Sequence, residues 1–167
     1  KTAYEIGVRL VGSEMCIRDR FITNQISDSE IKSDNITNIL GDWNAAHLSD
    51  VEIKLYYESS KLVILPINNT LVSSGQSAGL QAAAVGTAVV TTRTIGFWDY
   101  ESYKDGENIL FVENNELKNW TSIVKEAYEN DSLLLNIGKN SKKLVNNTYH
   151  LDIFNTKLES FLAFENV

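Results

Sequence analysis

Ser73-Ser74-Gly75-Gln76-Ser77-Ala78-Gly79-Leu80-Gln81-Ala82-Ala83-Ala84-Val85-Gly86-Thr87-Ala88-Val89-Val90-Thr91 is the stretch that decides the fold. A loop of serine and glycine runs into a helix of small residues, predicted over Gln76 to Val85, and a β-branched strand, Ala88 to Thr91, follows almost at once. Gly86 stands where a glycine just past the last turn stops a helix. Small side chains let that helix lie close against a sheet. The loop aims backbone N–H groups outward, and unpaired donors together with the helix dipole favour an anion such as a phosphate there. The same residues also describe an ordinary, tightly packed α/β crossover.

The flanking sequence extends the pattern. Leu62-Val63-Ile64-Leu65, ending at Pro66, is a continuous apolar run, as for a strand buried on both faces of a parallel sheet. Ser49-Asp50-Val51-Glu52 reads as a capping box that opens a helix whose apolar face is Val51, Leu55 and Tyr56, with Ile53 beside them. That helix frays at Ser59-Ser60. Ile36 to Leu40 is a short β-prone run stopped by Gly41-Asp42, and Asn108 to Val112 is a further strand after the Gly96-Phe97-Trp98-Asp99 loop. From Glu116 onward three apolar stripes predict helices: Trp120, Ile123, Val124 and Tyr128; then Leu133, Leu134, Ile137, Leu144 and Val145; then Leu151, Ile153, Phe154, Leu158, Phe161 and Leu162. Strands and helices alternating over roughly 25-residue units imply crossovers between parallel strands. The fold class is therefore α/β, a Rossmann-like parallel sheet flanked by helices and closed by C-terminal helices.

Lys1 to Arg20 reads differently from the rest. Lys1-Thr2-Ala3-Tyr4-Glu5-Ile6 resembles a translated flow-cell primer, and Leu10-Val11-Gly12-Ser13-Glu14-Met15-Cys16-Ile17-Arg18-Asp19 resembles a translated transposase adaptor in the same frame. Residues 1–20 are accordingly expected to be an adaptor-derived artefact and not a domain. The genuine sequence then starts near Phe21, truncated at its N-terminal side, with one domain over 21–167.

The chain carries 15 basic and 22 acidic residues, a net charge of −7. Taking away the four basic and three acidic residues of the adaptor-like stretch leaves 11 and 19, a net charge of −8. Such an acidic chain lacks the electrostatic footprint of a nucleic-acid binder and the basic face of a membrane-surface helix. No apolar run approaches the ~20 residues of a membrane span. Cys16, the only cysteine, lies in the adaptor-like stretch, so disulfides, thiolate metal sites and a cysteine nucleophile are not expected. His47 and His150 stand too far apart to suggest a metal cluster and read as surface or cap residues. No metal and no cofactor are expected, and the simplest location is cytoplasmic, with any peripheral membrane contact made through the missing half.

The order of these features resembles the C-terminal half of a GT-B glycosyltransferase of the retaining group 1, family 4-like class. Gln81-Ala82-Ala83-Ala84-Val85-Gly86-Thr87-Ala88-Val89-Val90 is similar to that class's "A-x-G-x-P-V-V" block, and Asp105-Gly106-Glu107-Asn108-Ile109-Leu110-Phe111-Val112 to its "D-G-x-N-G-x-L-V" turn and strand. Ser74-Gly75-Gln76-Ser77 and Thr94-Ile95-Gly96-Phe97-Trp98-Asp99 resemble a subgroup carrying "S-G-Q-S" and "T-x-G-x-W-D". The common pattern has two glutamates where this chain has Ser73 and Gln81.

The resemblance implies a nucleotide-diphosphate-sugar donor, with a hexose-type sugar passed to a saccharide or other small acceptor. It places the diphosphate on Ser74, Gly75, Gln76 and Ser77, and the ribose and sugar beside Ser73, Gln81, Thr94, Gly96 and Asp99. Trp43 is a candidate for stacking on the base, a buried loop anchor being an equal alternative; Trp98 reads as packing. The basic pair that usually grips the diphosphate is expected upstream of Phe21, because Arg93 does not match its position. An N-terminal acceptor domain of the same chain is implied, and without it the chain is expected to bind donor without turnover. Catalytic residues are not assigned. Two rivals remain: a sugar-nucleotide 2-epimerase, and a non-catalytic GT-B-like partner subunit, favoured by the loss of both glutamates. A dinucleotide-binding dehydrogenase is weaker, since no Gly-x-Gly-x-x-Gly follows a strand.

Overall fold

The computed structural model describes residues 19–22, 28–31, 33–39 and 48–164. Two short strands, β1 (Asp19–Ile22) and β2 (Ile36–Ile39), pair in parallel, and β1 takes in Asp19 and Arg20 from the adaptor-like stretch. A second, three-stranded sheet has the order β3 (Val63–Leu65), β4 (Val89–Thr92), β5 (Leu110–Val112), every pair parallel. Helix α1 (Asp50–Ser59) precedes β3, and α2 (Gln76–Val85) makes the crossover from β3 to β4. Helices α3 (Leu117–Tyr128), α4 (Asp131–Thr148) and α5 (Leu151–Phe164) close the chain.

Side chains alternate across the sheet, so each strand feeds two cores. Val90 and Val112 turn to one face and meet Trp120 and Val124 of α3. Val89 and Phe111 turn to the other and meet Ala82 of α2, Tyr103 and Ile109, with Tyr57, Phe97, Trp98 and Tyr149 around them. A third cluster joins Ala88 to Ala127, Leu134 and Ile137. The strand buried on both faces is β4, with all four residues buried, whereas β3 is half-buried throughout. The apolar run Leu62–Leu65 was the expected buried strand. Its position at the rim of the described sheet, with β4 on one side, accounts for the difference.

Close approach depends on small residues. The alanines Ala82 and Ala83 of α2 are buried, and α4 crosses beside the end of α2 at Gly138. A Cβ on Gly138 would stand 2.0 Å from the carbonyl oxygen of Gly86, so only hydrogen fits there. Gly86 has the left-handed φ of 92° expected of a helix-closing glycine.

Two expected apolar faces differ from the structure. In α1, Val51 and Leu55 are exposed, and Ile53, Tyr56 and Tyr57 are the half-buried residues. Tyr57 lies on the inward side, its hydroxyl reaching Gln81 of α2 at 3.5 Å and its carbonyl accepting from the Thr87 hydroxyl, just beyond α2, at 2.7 Å. In α5, Leu151, Phe154, Leu158, Phe161 and Leu162 are exposed, since this helix makes few contacts with the other described elements. Amphipathic spacing encodes a face but not the surface that covers it. His150 is a cap residue as expected, its Nδ1 accepting from the Asp152 N–H at 3.3 Å; His47 lies outside the described residues. No helix among the described residues is long and apolar enough to cross a membrane.

Candidate functional site

Parallel strands carry their C-terminal ends to one edge, so the segments that leave β3, β4 and β5 meet there. They are joined by hydrogen bonds. The Thr92 hydroxyl accepts from the Ile67 N–H at 3.0 Å and donates to Asn115 Oδ1 at 2.7 Å. Asn115 Nδ2 donates to the Ile67 carbonyl at 3.0 Å, and the buried Trp120 indole donates to Asn115 Oδ1 at 3.1 Å. Farther along, the Ile95 N–H donates to Asn69 Oδ1 at 3.0 Å. Gly96 lies so close to the β3 loop that a Cβ would fall 2.5 Å from the Thr70 oxygen and 2.7 Å from the Leu71 backbone.

The loop from β3 then delivers Gly75 as the N-cap of α2, at a left-handed φ of 72°. A side chain at that φ is strained, and a Cβ would also meet Ile67 Cδ1 at 2.6 Å. Glycine therefore does two things. It permits the turn, and it leaves the helix without a side-chain cap. No acidic residue stands in the first turn either. The first intrahelical bond runs from the Gly79 N–H to the Gly75 carbonyl at 2.9 Å. The N–H groups of Gln76, Ser77 and Ala78 precede it, and an α-helix provides no backbone acceptor for donors in its first turn. Ser73, Ser74, Gln76 and Ser77 are all exposed around this end.

The other expected site residues that the structure describes lie on α2 and on the loop after β4. Gln81 is exposed on α2, where its Oε1 accepts from the Tyr57 hydroxyl at 3.5 Å; burial pushes that phenol above its ordinary range. Thr94 and Gly96 lie on the β4 loop against the β3 loop, Thr94 being buried with its carbonyl accepting from the Tyr100 hydroxyl at 2.6 Å. Asp99 is already committed. Its Oδ1 accepts from the N–H groups of Glu101 at 3.1 Å and Ser102 at 3.0 Å, and its Oδ2 accepts from the Tyr149 hydroxyl. Partial burial works to raise its pKa, but the hydrogen bonds from Tyr149, Ser102 and Glu101 together outweigh it and lower the value. Burial and the bond to that carboxylate hold the Tyr149 hydroxyl well above the ordinary phenol range. Trp43 lies outside the described residues.

Trp98 packs as expected. Its ring lies 2.8 Å from where a Gly79 Cβ would be, inside an aromatic group with Phe97, Tyr103 and Phe111. Burial there pushes the Tyr103 hydroxyl up to about 12. Arg93 leaves β4 at the same edge but is engaged by Glu113 at 2.7 Å and Asp105 at 3.4 Å, with its guanidinium 4.3 Å from the Phe111 ring centre. A shallow hollow of about 550 Å³, lined by Asp99, Thr148, Tyr149, Leu151, Phe154 and Lys157, includes no residue of the 73–77 loop. Thr92, Asn69 and Asn115 were not expected from the sequence. The Asn114-Asn115 pair after β5 was the available signal.

Among solved structures, the chain is similar to the C-terminal domain of a glycosyl transferase group 1 family protein (LpcC) from Francisella tularensis, with a TM-score of 0.56 at 24% identity. That match covers 70% of this chain and 55% of the other. It is also similar to a glycosyltransferase from Rickettsia africae, with a TM-score of 0.60 at 15% identity, over 80% of this chain and 33% of the other. The fold is that of a GT-B glycosyltransferase C-terminal domain. The chain spans about half of the first of these structures and a third of the second. Neither the family models nor the curated proteins compared with it give a match.

Proposed function

We propose that this chain is the donor-binding domain of a glycosyltransferase and receives the diphosphate of a nucleotide-diphosphate sugar at the open end of α2. One observation carries the reading. The N-terminus of α2, uncapped at Gly75 and free of acidic residues in its first turn, stands at the carboxyl edge of β3, β4 and β5 in a glycosyltransferase fold. The N–H groups of Gly75, Gln76 and Ser77 receive the phosphate oxygens, with a hydroxyl from Ser74 or Ser77. Each charge-assisted bond contributes about 1.5–3 kcal/mol when water is excluded. Negative charge grows on the phosphate as the sugar departs, so the same donors hold the transition state more tightly than the ground state.

Ser73, Gln81, Thr94, Gly96 and Asp99 line the ribose and sugar side. Trp43 is the residue proposed to stack on the base. The acceptor, a saccharide or other small molecule, is held by an N-terminal domain of the same chain. This domain alone then binds donor without hexosyl transfer. A second reading, a non-catalytic partner subunit, is favoured by one observation: Ser73 and Gln81 carry no charge, and the Gln81 amide oxygen already accepts from Tyr57.

Calorimetry with uridine, guanosine and adenosine diphosphates tests the proposal, alongside hydrogen exchange at Gly75, Gln76 and Ser77. Binding of at least one, with slowed exchange at those amides, is expected. Absence of heat together with unprotected amides would end the donor-site reading.

A further inference from the structure

We propose that Asn115 is a positioning residue for the Gly75 loop, acting through Thr92 and Ile67; this rests on reading the α2 N-terminus as the donor site. The hydrogen bonds at the strand ends form a closed ring: Ile67 N–H to Thr92, Thr92 hydroxyl to Asn115, Asn115 amide to Ile67 carbonyl. The direction of the ring is set from outside it. Trp120 is fully buried on α3, and an indole nitrogen can only donate, so the bond it makes commits the Asn115 oxygen to its side. The Asn115 nitrogen then has to face Ile67. With its proton given to Asn115, the Thr92 hydroxyl offers a lone pair to the Ile67 N–H. The three bonds of the ring run in one consistent sense, and the Asn115 oxygen accepts from both Thr92 and Trp120.

Ile67 needs this hold because β3 ends at Leu65 and Pro66 has no N–H to continue the ladder. Both of its backbone groups are taken by side chains from the ends of other strands. Its own side chain backs the cap, Cδ1 lying 2.6 Å from the position a Gly75 Cβ would occupy. Asn115 therefore sets the first residue of the loop, and that residue sets the glycine whose turn opens α2. Asn115 itself stands between β5 and α3 and needs no contact with a ligand.

Three variants test the ring. Asn115→Asp keeps the shape and the acceptor for Trp120 but replaces the donor that faces the Ile67 carbonyl with an oxygen. Thr92→Val removes the hydroxyl at nearly constant volume, and Thr92→Ser restores it. Backbone amide resonances of Gly75, Gln76 and Ser77 are recorded for each, and uridine, guanosine and adenosine diphosphates are titrated by calorimetry. Asn115→Asp and Thr92→Val are expected to shift those three resonances and weaken diphosphate binding about tenfold, the effect of one such bond. Thr92→Ser is expected to return both to near the wild-type values, a rescue that general destabilisation would not produce. Should Asn115→Asp fail to fold, the Thr92 pair decides. Folded Asn115→Asp and Thr92→Val chains with unshifted loop amides and unchanged binding overturn the proposal. If the wild type binds no diphosphate while the variants still shift the loop amides, the donor reading fails and the positioning role of the ring stands.

Discussion

Helices α1 and α2 are each ten residues long and begin on opposite terms. At the start of α1 the chain satisfies its own donors. The Ser49 hydroxyl accepts from the Glu52 N–H at 3.3 Å, and the Glu52 carboxylate accepts from the Ser49 N–H at 2.8 Å. That backbone N–H first, and the serine hydroxyl second, hold the Glu52 carboxyl below its ordinary range. At the start of α2, Gly75 supplies no cap and the first turn carries no acid. One end is closed by its own side chains and the other is left uncapped. On the proposed reading, the side chains missing from the start of α2 are the ones a phosphate would have to displace.

The largest effect on this contrast is expected from Gly75→Ala. A methyl at a left-handed φ costs about 1–2 kcal/mol, and Ile67 must also move aside. Thermal unfolding should show the loss, and diphosphate binding should fall with it; an alanine variant of unchanged melting temperature would mean that the turn is not held at this φ. Ser49→Ala comes next, at about 1 kcal/mol for a lost N-cap, with diphosphate binding untouched. Its pH dependence has a definite sign. A carboxyl with a lowered folded pKa contributes stability above its unfolded pKa and loses it as pH falls through the folded value. The difference between wild type and Ser49→Ala should therefore shrink in acid, below the ordinary glutamate range, and a difference constant with pH would show that the Ser49 hydroxyl does not hold Glu52.

The smallest effect on stability, and the sharpest on function, is expected from Gln76→Glu. A carboxylate in the first turn of α2 should stabilise the helix by about 0.3–1 kcal/mol through its dipole. The same charge should repel a diphosphate, so melting temperature and affinity move in opposite directions. Parallel movement of the two would show that the helix end is not the anion site.

Much of this architecture was legible because it is local. The capping box at Ser49, the helix over Gln76–Val85, the closing glycine at Gly86 and the stripes of α3 and α4 each follow from residues within a few positions of one another. The uncapped end of α2 was legible for the same reason, since it depends on Gly75 and its neighbours. Faces were read less well. Val51 and Leu55 have the right spacing but lie exposed, while Ile53, Tyr56 and Tyr57 are the half-buried residues of α1. The stripe of α5 is real in its periodicity but lies exposed.

The sequence by itself determined the parallel α/β pattern, the crossover over Gln76–Val85 and the absence of a cap at Gly75, because backbone dihedrals and hydrophobic period act over a turn or two. Only the tertiary structure decided what supports that end. Thr92 and Asn115 are 23 residues apart, and Asn115 and Ile67 are 48 apart. No local propensity links such residues. They meet because three parallel strands end at one edge, where backbone groups beyond the ladder must find partners among whatever side chains the fold brings there.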